Sequence, residues 1–488
     1  MLCGNIVWAQ LTMRWMYTHD FAQRHDFGRA VQLDSVGNVY VTGFSRSAAG
    51  DYDILVLKLD LSGAPLWYVR YGGSAGGDDK ADHIVIDESR QQLYVAGVSV
   101  GATPDDYILL AYSMQTGQLL WERRFWNIGE NSMQGGGIAA ITLDPAGNIY
   151  VTGAVWNGYD YDATTLKYDP NGNLLWEYTD MSYTGAPFYA GLALAYRNNA
   201  LYVLQGDWNT GAGFGADIVC LNAETGAEQW RVNLYRGTLT IAADLQLDSE
   251  GNLAVLSTLR VGTNHDLALA KVSPTGQVLW TRTHHVGARD FAVRLLVDEA
   301  NRLYACGTVL VSGQWENCIV VAYNAEGNRL WATQFNRANL PDLLIDAAYH
   351  SGRLYLTSWS QGSPANFDLA VIELDTTGAI RSWVAYNGTG NHWDGSYGIT
   401  AASCQRVYVV GGTDVSGNGT NADLLVAMYQ SGRPEDVNRD GCVDDADLLR
   451  VLFAFGQTGS NLPEDVNCDG VVDDADLLTV LFNFGGGC

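Results

Sequence analysis

Cationic side chains are scarce in this chain: 28 Lys and Arg stand against 54 Asp and Glu, a formal charge of −26. A surface of that sign repels phosphate backbones, which argues against nucleic acid as a partner and against docking on anionic lipid. No apolar run approaches 18 residues, so no membrane-spanning helix is expected. Eight Cys in 488 residues are too few for a disulfide scaffold, and no C-x-x-C or Cys/His zinc pattern occurs. The pairings left open are Cys306 with Cys318, Cys442 with Cys488, and any pairing with Cys468. No G-x-S-x-G stretch leads from a strand into a helical pattern, as a hydrolase elbow would, and the H-E-x-x-H helix of metalloproteases is missing.

What the chain has in quantity is apolar and aromatic residues, 47% and 11%, and these rule out disorder. They are arranged as a repeat. Ala30 to Gly43, ending Gly37-Asn38-Val39-Tyr40-Val41-Thr42-Gly43, matches Ala140 to Gly153. Each unit continues with an alternating stretch such as Ile54 to Asp60, then a turn, then a Trp segment such as Leu61 to Trp67. Period-2 alternation bounded by Asp, Gly and Asn marks strands. Every unit thus carries four strands, A to D. The strand-D Trp recurs at Trp15, Trp67, Trp121, Trp176, Trp230, Trp280, Trp331 and Trp383. Strand A begins near Ala30, His83, Ile138, Ala190, Ala242, Ala292, Ile345 and Gly398. The last A–B–C set ends at Tyr429 without a Trp strand, and the first Trp strand, Thr12 to Tyr17, lacks a set before it. The pattern predicts an all-β, eight-bladed β-propeller over residues 10–430, its N-terminal strand closing the last blade. An open solenoid of sheets is the alternative.

The D-x-x-G-N-x-Y-V-T-G stretch resembles the bacterial SBBP-type propeller repeat. Asn222 to Trp230 is similar to the tryptophan-docking turn of quinoprotein propellers. The resemblance implies the fold; the adjacent cysteine pair typical of alcohol-oxidising quinoproteins is absent. Val7 and Ala9 before Gln10 resemble the end of a secretory signal, so residues 1–9 are expected to be a signal remnant and the protein secreted or at the cell surface.

The final segment holds two near-copies of an acidic loop. Asp436, Asn438, Asp440, Asp444 and Asp447 stand at positions 1, 3, 5, 9 and 12 of the first, with Gly441 at position 6; Asp465, Asn467, Asp469, Asp473 and Asp476 repeat this with Gly470. That is the spacing with which oxygen donors wrap a calcium ion. A helical pattern ending in Gly follows each loop, and the helix that precedes an EF-hand loop is missing. The pair resembles a type I dockerin, a small all-α calcium-binding domain over residues 435–488, reached by a linker at 431–434. The resemblance implies two Ca²⁺ ions, ligated as well by the carbonyls of Cys442 and Val471, and docking to a cohesin or another cell-surface protein. Dockerin loops often choose the cohesin through hydroxyl residues at positions 10 and 11. Here those places hold Asp445-Ala446 and Asp474-Ala475, so a different cohesin or a plain calcium-stabilised domain is also open.

In a propeller the B–C and D–A links share one face, and here they are the longer links. Trp126, Trp156, Trp208, Trp315, Trp359 and Trp393 fall in or beside them, as do His19, His25, His265, His284, His285 and His392. Loops held by a rigid scaffold carry function, and aromatic rings beside Asp and Asn suit a polysaccharide or a peptide. Packing of the long links by their own Trp is the competing explanation. Candidate acids on that face are Asp20, Asp26, Asp79, Asp160, Asp290, Asp342 and Asp394, with no pair singled out. Asp53, Asp106, Asp162, Asp217, Asp266, Asn317, Asp368 and Asp423 precede strand C in successive units, and such repetition predicts a turn-capping bond. The expectation is a monomeric, non-catalytic binding protein. The alternative is a dockerin-borne polysaccharide-degrading enzyme.

Overall fold

The computed structural model describes every residue except 1–10, 22–23, 74–75, 101–105, 126–137, 158, 160, 183–188, 208–214, 236–237, 239, 312, 314, 364–365, 390–391, 415–420, 439–441, 460–461, 469 and 487–488. The described strands form six four-stranded antiparallel sheets and one eight-stranded sheet. The larger sheet joins two four-stranded units through a single parallel bridge, His265 to Arg289. Unit 1 shows the pattern: strand A (Asp26–Leu33), B (Val39–Arg46), C (Tyr52–Leu59) and D (Pro65–Tyr71) pair in that order. The last unit has A (Asp394–Ala402), B (Arg406–Thr413) and C (Asp423–Gln430), and its fourth strand is Thr12–His19 from the other end of the chain.

Neighbouring sheets bury a shared apolar cluster at every junction. Val41 and Leu57 of unit 1 pack with Val410 and Leu424 of the last unit, and Ile54 packs with Ile84 and Val95 of unit 2. Equivalent clusters follow from unit to unit until Val371 meets Val409. The fold is a β-propeller whose cohesion lies between sheets. Each fully buried Val, Leu or Ile there contributes about 1.5–3 kcal/mol.

The strand-D tryptophans fasten these junctions. The indole N–H of Trp67 donates to the Met114 carbonyl at 3.2 Å, and that of Trp176 to the Ala223 carbonyl at 3.1 Å. Trp15, Trp121, Trp230, Trp280 and Trp331 make the same bond to the next C–D turn. Each ring lies on a glycine of that turn: at Gly226, with φ +74°, an added Cβ would stand 2.8 Å from Trp176. Trp383 departs from the set. Its strand pairs Leu374 with Ile380 and Glu373 with Ser382, so Ser382 occupies the place Trp67 holds opposite Lys58. A shift of one residue turns a strand side chain to the other face. Trp383 is 41% exposed and packs on Phe335 instead, and Ser382 Oγ accepts the Leu11 N–H at 2.7 Å.

All but one of the A strands begin earlier than the sequence pattern suggests. They start at Asp26, Asp79, Tyr189, Thr240, Arg289, Asp342 and Asp394, while the third is described from Ile138 onward. The cause is a β-bulge in each A strand, such as between Gly28 and Ala30 or between Ser396 and Gly398. The extra residue breaks the alternation, so the apolar pattern becomes readable only beyond it.

Two helices close the described chain, α1 (Asp445–Ala454) and α2 (Asp474–Phe482). Val443, Val451, Val472 and Val480 form their small core. The Cys404–Cys468 disulfide ties the second acidic loop to the A–B turn of the last unit, where Arg406 also donates to the Asn467 carbonyl at 2.8 Å. Cys442 is disulfide-bonded to a partner outside the described residues. Cys306 and Cys318 are buried free thiols, so the pairing considered for them does not form. They stand at non-opposed positions of a strand pair, Cys306 facing Val320 and Cys318 facing Thr308. No described helix is long and apolar enough to cross a membrane.

Candidate functional site

Five of the candidate acids are one structural device repeated. Asp26, Asp79, Asp290, Asp342 and Asp394 each begin a strand A or sit within two residues of its start, and each is at most 1% exposed. Their carboxylates accept backbone N–H groups of the preceding D–A link: Phe21 at 2.9 Å for Asp26, Val286 at 2.8 Å for Asp290, Arg337 at 2.9 Å for Asp342 and Gly388 at 2.7 Å for Asp394. Gly73 does the same for Asp79, and hydroxyls of Ser99, Ser360 and Thr413 add a second donor to Asp79, Asp342 and Asp394. Burial pushes all five carboxyls above the usual range, Asp26 to about 6. Their abundance therefore reflects the repeat. Asp160 lies outside the described residues.

The polar column before strand C differs from the turn caps expected of it. In most units its members hold side chains of strand D or the D–A link. Arg70 pairs with Asp53 at 2.8 Å, His285 with Asp266 at 2.7 Å and Arg337 with Asp368 at 2.6 Å, while Asn336 bonds Asn317 at 2.9 Å. Asp217 takes Asn233 and the Tyr189 hydroxyl, both at 2.6 Å. Asp162 alone among those described binds its own B–C link, through Asn157 at 2.9 Å. These bonds fix the links, and hence the face they form.

On that face the rings of Trp359 and Trp393 meet at 5.4 Å and 88°. Tyr397 lies 5.6 Å from Trp359 and Phe27 5.9 Å from both Trp393 and Tyr397. Phe44 and Tyr52 continue the row at 5.5 Å and 5.2 Å. The result is a belt of half-buried rings across the last two units and unit 1. Arg29 lies 4.3 Å over Tyr397 and Lys80 4.5 Å over Tyr52, but Asp82 and Asp78 pair with them, so the belt carries little net charge. Sequence reasoning named Trp359 and Trp393 and missed Tyr397, Phe27, Phe44 and Tyr52. Each lies in an A, B or C strand close to the same links, but only the fold brings them into one row.

The remaining candidates scatter. Trp156 packs on Tyr161 at 5.1 Å and against Ala154 and Ala190. Trp315 is 56% exposed and away from the belt's ring contacts. Trp126 and Trp208 lie outside the described residues. His25 stacks on Phe27 at 5.9 Å beside the belt, and His19 meets Phe21 at 4.0 Å with the rings tilted by 41°.

The two acidic loops share one geometry. Asp447 and Asp476 are fully buried. Asp447 accepts the N–H of Asn438 at 2.8 Å and of Asp444 at 3.0 Å; Asp476 accepts those of Asn467 and Asp473, both at 2.9 Å. Asp444 and Asp473 cap the helices through Ala446 and Ala475, each at 2.8 Å. No Lys or Arg ion pair reaches Asp447 or Asp476 among the described residues. A buried carboxylate without a counter-charge is costly, and each oxygen retains a lone pair beyond the one its N–H uses. This donor set suits a hard cation. Asp436, Asn438, Cys442, Asp465, Asn467 and Val471 flank these carboxylates in the loops, whereas Asp440 and Asp469 lie outside the described residues. Asp445, Ala446, Asp474 and Ala475 are exposed in the first helical turns.

Comparison with known proteins agrees with the fold. A family model described as outer membrane protein assembly factor BamB matches residues 162–340. Quinohemoprotein alcohol dehydrogenase from Comamonas testosteroni is similar in structure over 98% of this chain and 86% of its own, with 12% identity and a TM-score of 0.54. Sqt1 from Chaetomium thermophilum is similar over 86% of this chain and all of its own, with 12% identity and a TM-score of 0.50. No curated protein matches the chain in sequence. The chain carries a β-propeller, and likeness at this identity extends to the fold alone.

Proposed function

We propose that this is a secreted or cell-surface binding protein: an eight-bladed ring whose link-bearing face holds a polysaccharide, joined to a small dockerin-like domain built around two calcium ions. The aromatic belt from Trp359 to Tyr52 carries the reading. Sugar rings present apolar C–H faces and polar edges, and an uncharged row of amphipathic rings beside bonded carboxylates complements both. The backbone bonds of Asp26, Asp79, Asp290, Asp342 and Asp394 give these carboxylates the same structural role from unit to unit, which favours binding over an enzymatic reading. A disulfide such as Cys404–Cys468 persists in oxidising compartments, which supports export.

Calcium would be held by the carboxylates and carbonyls of the two loops, where it neutralises their clustered charge. The exposed Leu449, Leu452 and Phe453 of α1 and Leu478, Leu481 and Phe482 of α2 support docking to a cohesin or another cell-surface protein. Affinity electrophoresis through gels containing cellulose derivatives, xylan, pectin or β-glucan tests the polysaccharide reading. The wild-type chain is expected to be retarded by at least one of these, and a Trp393→Ala, Tyr397→Ala double variant of unchanged circular dichroism is expected to migrate freely. Equal mobility of both in every gel removes the proposal.

A further inference from the structure

Asp266, His285 and Asp290 place two carboxylates and an imidazole nitrogen within 4.8 Å of one another. They come from three segments. Asp266 belongs to strand C of unit 5, Asn264–Val272; His285 to the D–A link; and Asp290 to strand A of unit 6, Arg289–Val297. The His265–Arg289 backbone bridge, the one place among the described residues where two sheets merge, lies immediately before both aspartates and draws them together.

The charge balance of this seam differs from its equivalents. At the first junction Arg70 neutralises Asp53. At the next one along from the seam, the place of Asp266 is held by the uncharged Asn317, and Asp342 accepts the Arg337 N–H. Asp266 and Asp290 have no Arg or Lys ion pair among the described residues; His285 alone faces Asp266, at 2.7 Å. Both aspartates are buried while His285 is open to solvent on one side, so an ion has an entry path and a solvent-facing third ligand. Three atoms each about 2.1 Å from one zinc ion lie no more than about 4.2 Å apart, so a small side-chain shift towards Asp290 closes the set.

We infer that Asp266, His285 and Asp290 form a divalent transition-metal site, of the zinc type, that pins units 5 and 6 together. One imidazole and two carboxylates with a solvent-facing fourth position suit Zn²⁺. The imidazole separates this site from the all-oxygen loops of the C-terminal segment. On binding, the ion replaces the His285–Asp266 hydrogen bond, taking the imidazole in its neutral form.

Zinc titration of the full chain against a chromophoric chelator, with millimolar calcium present throughout, tests this. One Zn²⁺ per chain is expected. His285→Ala, at an exposed link position, and the isosteric Asp266→Asn are each expected to weaken it at least tenfold, while His392→Ala leaves it unchanged. The melting temperature of the wild type should rise with zinc, and that of His285→Ala should not. Absence of zinc binding at 100 μM, about the upper limit for a useful structural ion by mass action, overturns the site. So does undiminished binding by His285→Ala or Asp266→Asn.

Discussion

Asp26 gives the folded chain a pH dependence of definite sign. Burial raises its carboxyl to about 6 in the folded chain. A carboxyl that holds its proton more tightly when folded favours the folded state at low pH, and that stability is lost as pH rises from about 4 towards 6. Asp26→Asn keeps an acceptor for the Phe21 N–H and removes the titration. Urea midpoints at pH 4.5 and 7 should therefore show the wild type losing stability relative to Asp26→Asn; an identical change in both contradicts the burial argument. Gly226→Ala is expected to cost about 1–3 kcal/mol, because it strains a left-handed backbone and pushes Trp176 off its docking turn. Urea denaturation measures this directly. The sequence made such positions legible through repetition, as with Asp34, whose carboxylate binds the Asn38 N–H at 2.8 Å and the Tyr40 hydroxyl at 3.1 Å. It misled at Trp383, because a one-residue slip leaves the spacing of tryptophans almost unaltered while reversing which way the ring points.

At the scale of elements, alternation revealed the B, C and D strands, whose apolar residues face a neighbour. It revealed A strands only beyond the bulge, so the buried aspartates at their starts read as loop acids. The two helices after the acidic loops were legible from their apolar pattern, whereas the capping role of Asp444 and its pairing with Asp447 in a capping box emerged only in the structure. The Cys404–Cys468 link was not, since nothing local to either residue marks a partner 64 positions away. A loop of that length stabilises by about 4 kcal/mol in the chain-entropy view. The Cys404→Ser, Cys468→Ser variant is accordingly expected to release the C-terminal segment to limited proteolysis between residues 430 and 436, and sooner with a calcium chelator. Cleavage as slow as in the wild type would mean that the Arg406–Asn467 contact and apolar packing hold it unaided.

For the whole molecule, shared apolar clusters and tryptophan docking make each sheet depend on its neighbours, and the N-terminal strand on the last sheet joins the two ends. The aromatic belt sits across this join, on the last two units and the first. Residues far apart in sequence meet there, which is why Phe27 and Tyr397 could not be grouped from the sequence. Hydrogen–deuterium exchange of the full chain, with and without the polysaccharide that retards it, locates the surface the sugar covers. Added protection is expected in the segments around 27, 44–52, 359 and 393–397, and nowhere on the opposite face. Protection confined to other segments, or none while the polysaccharide is bound, would contradict the belt as the binding surface.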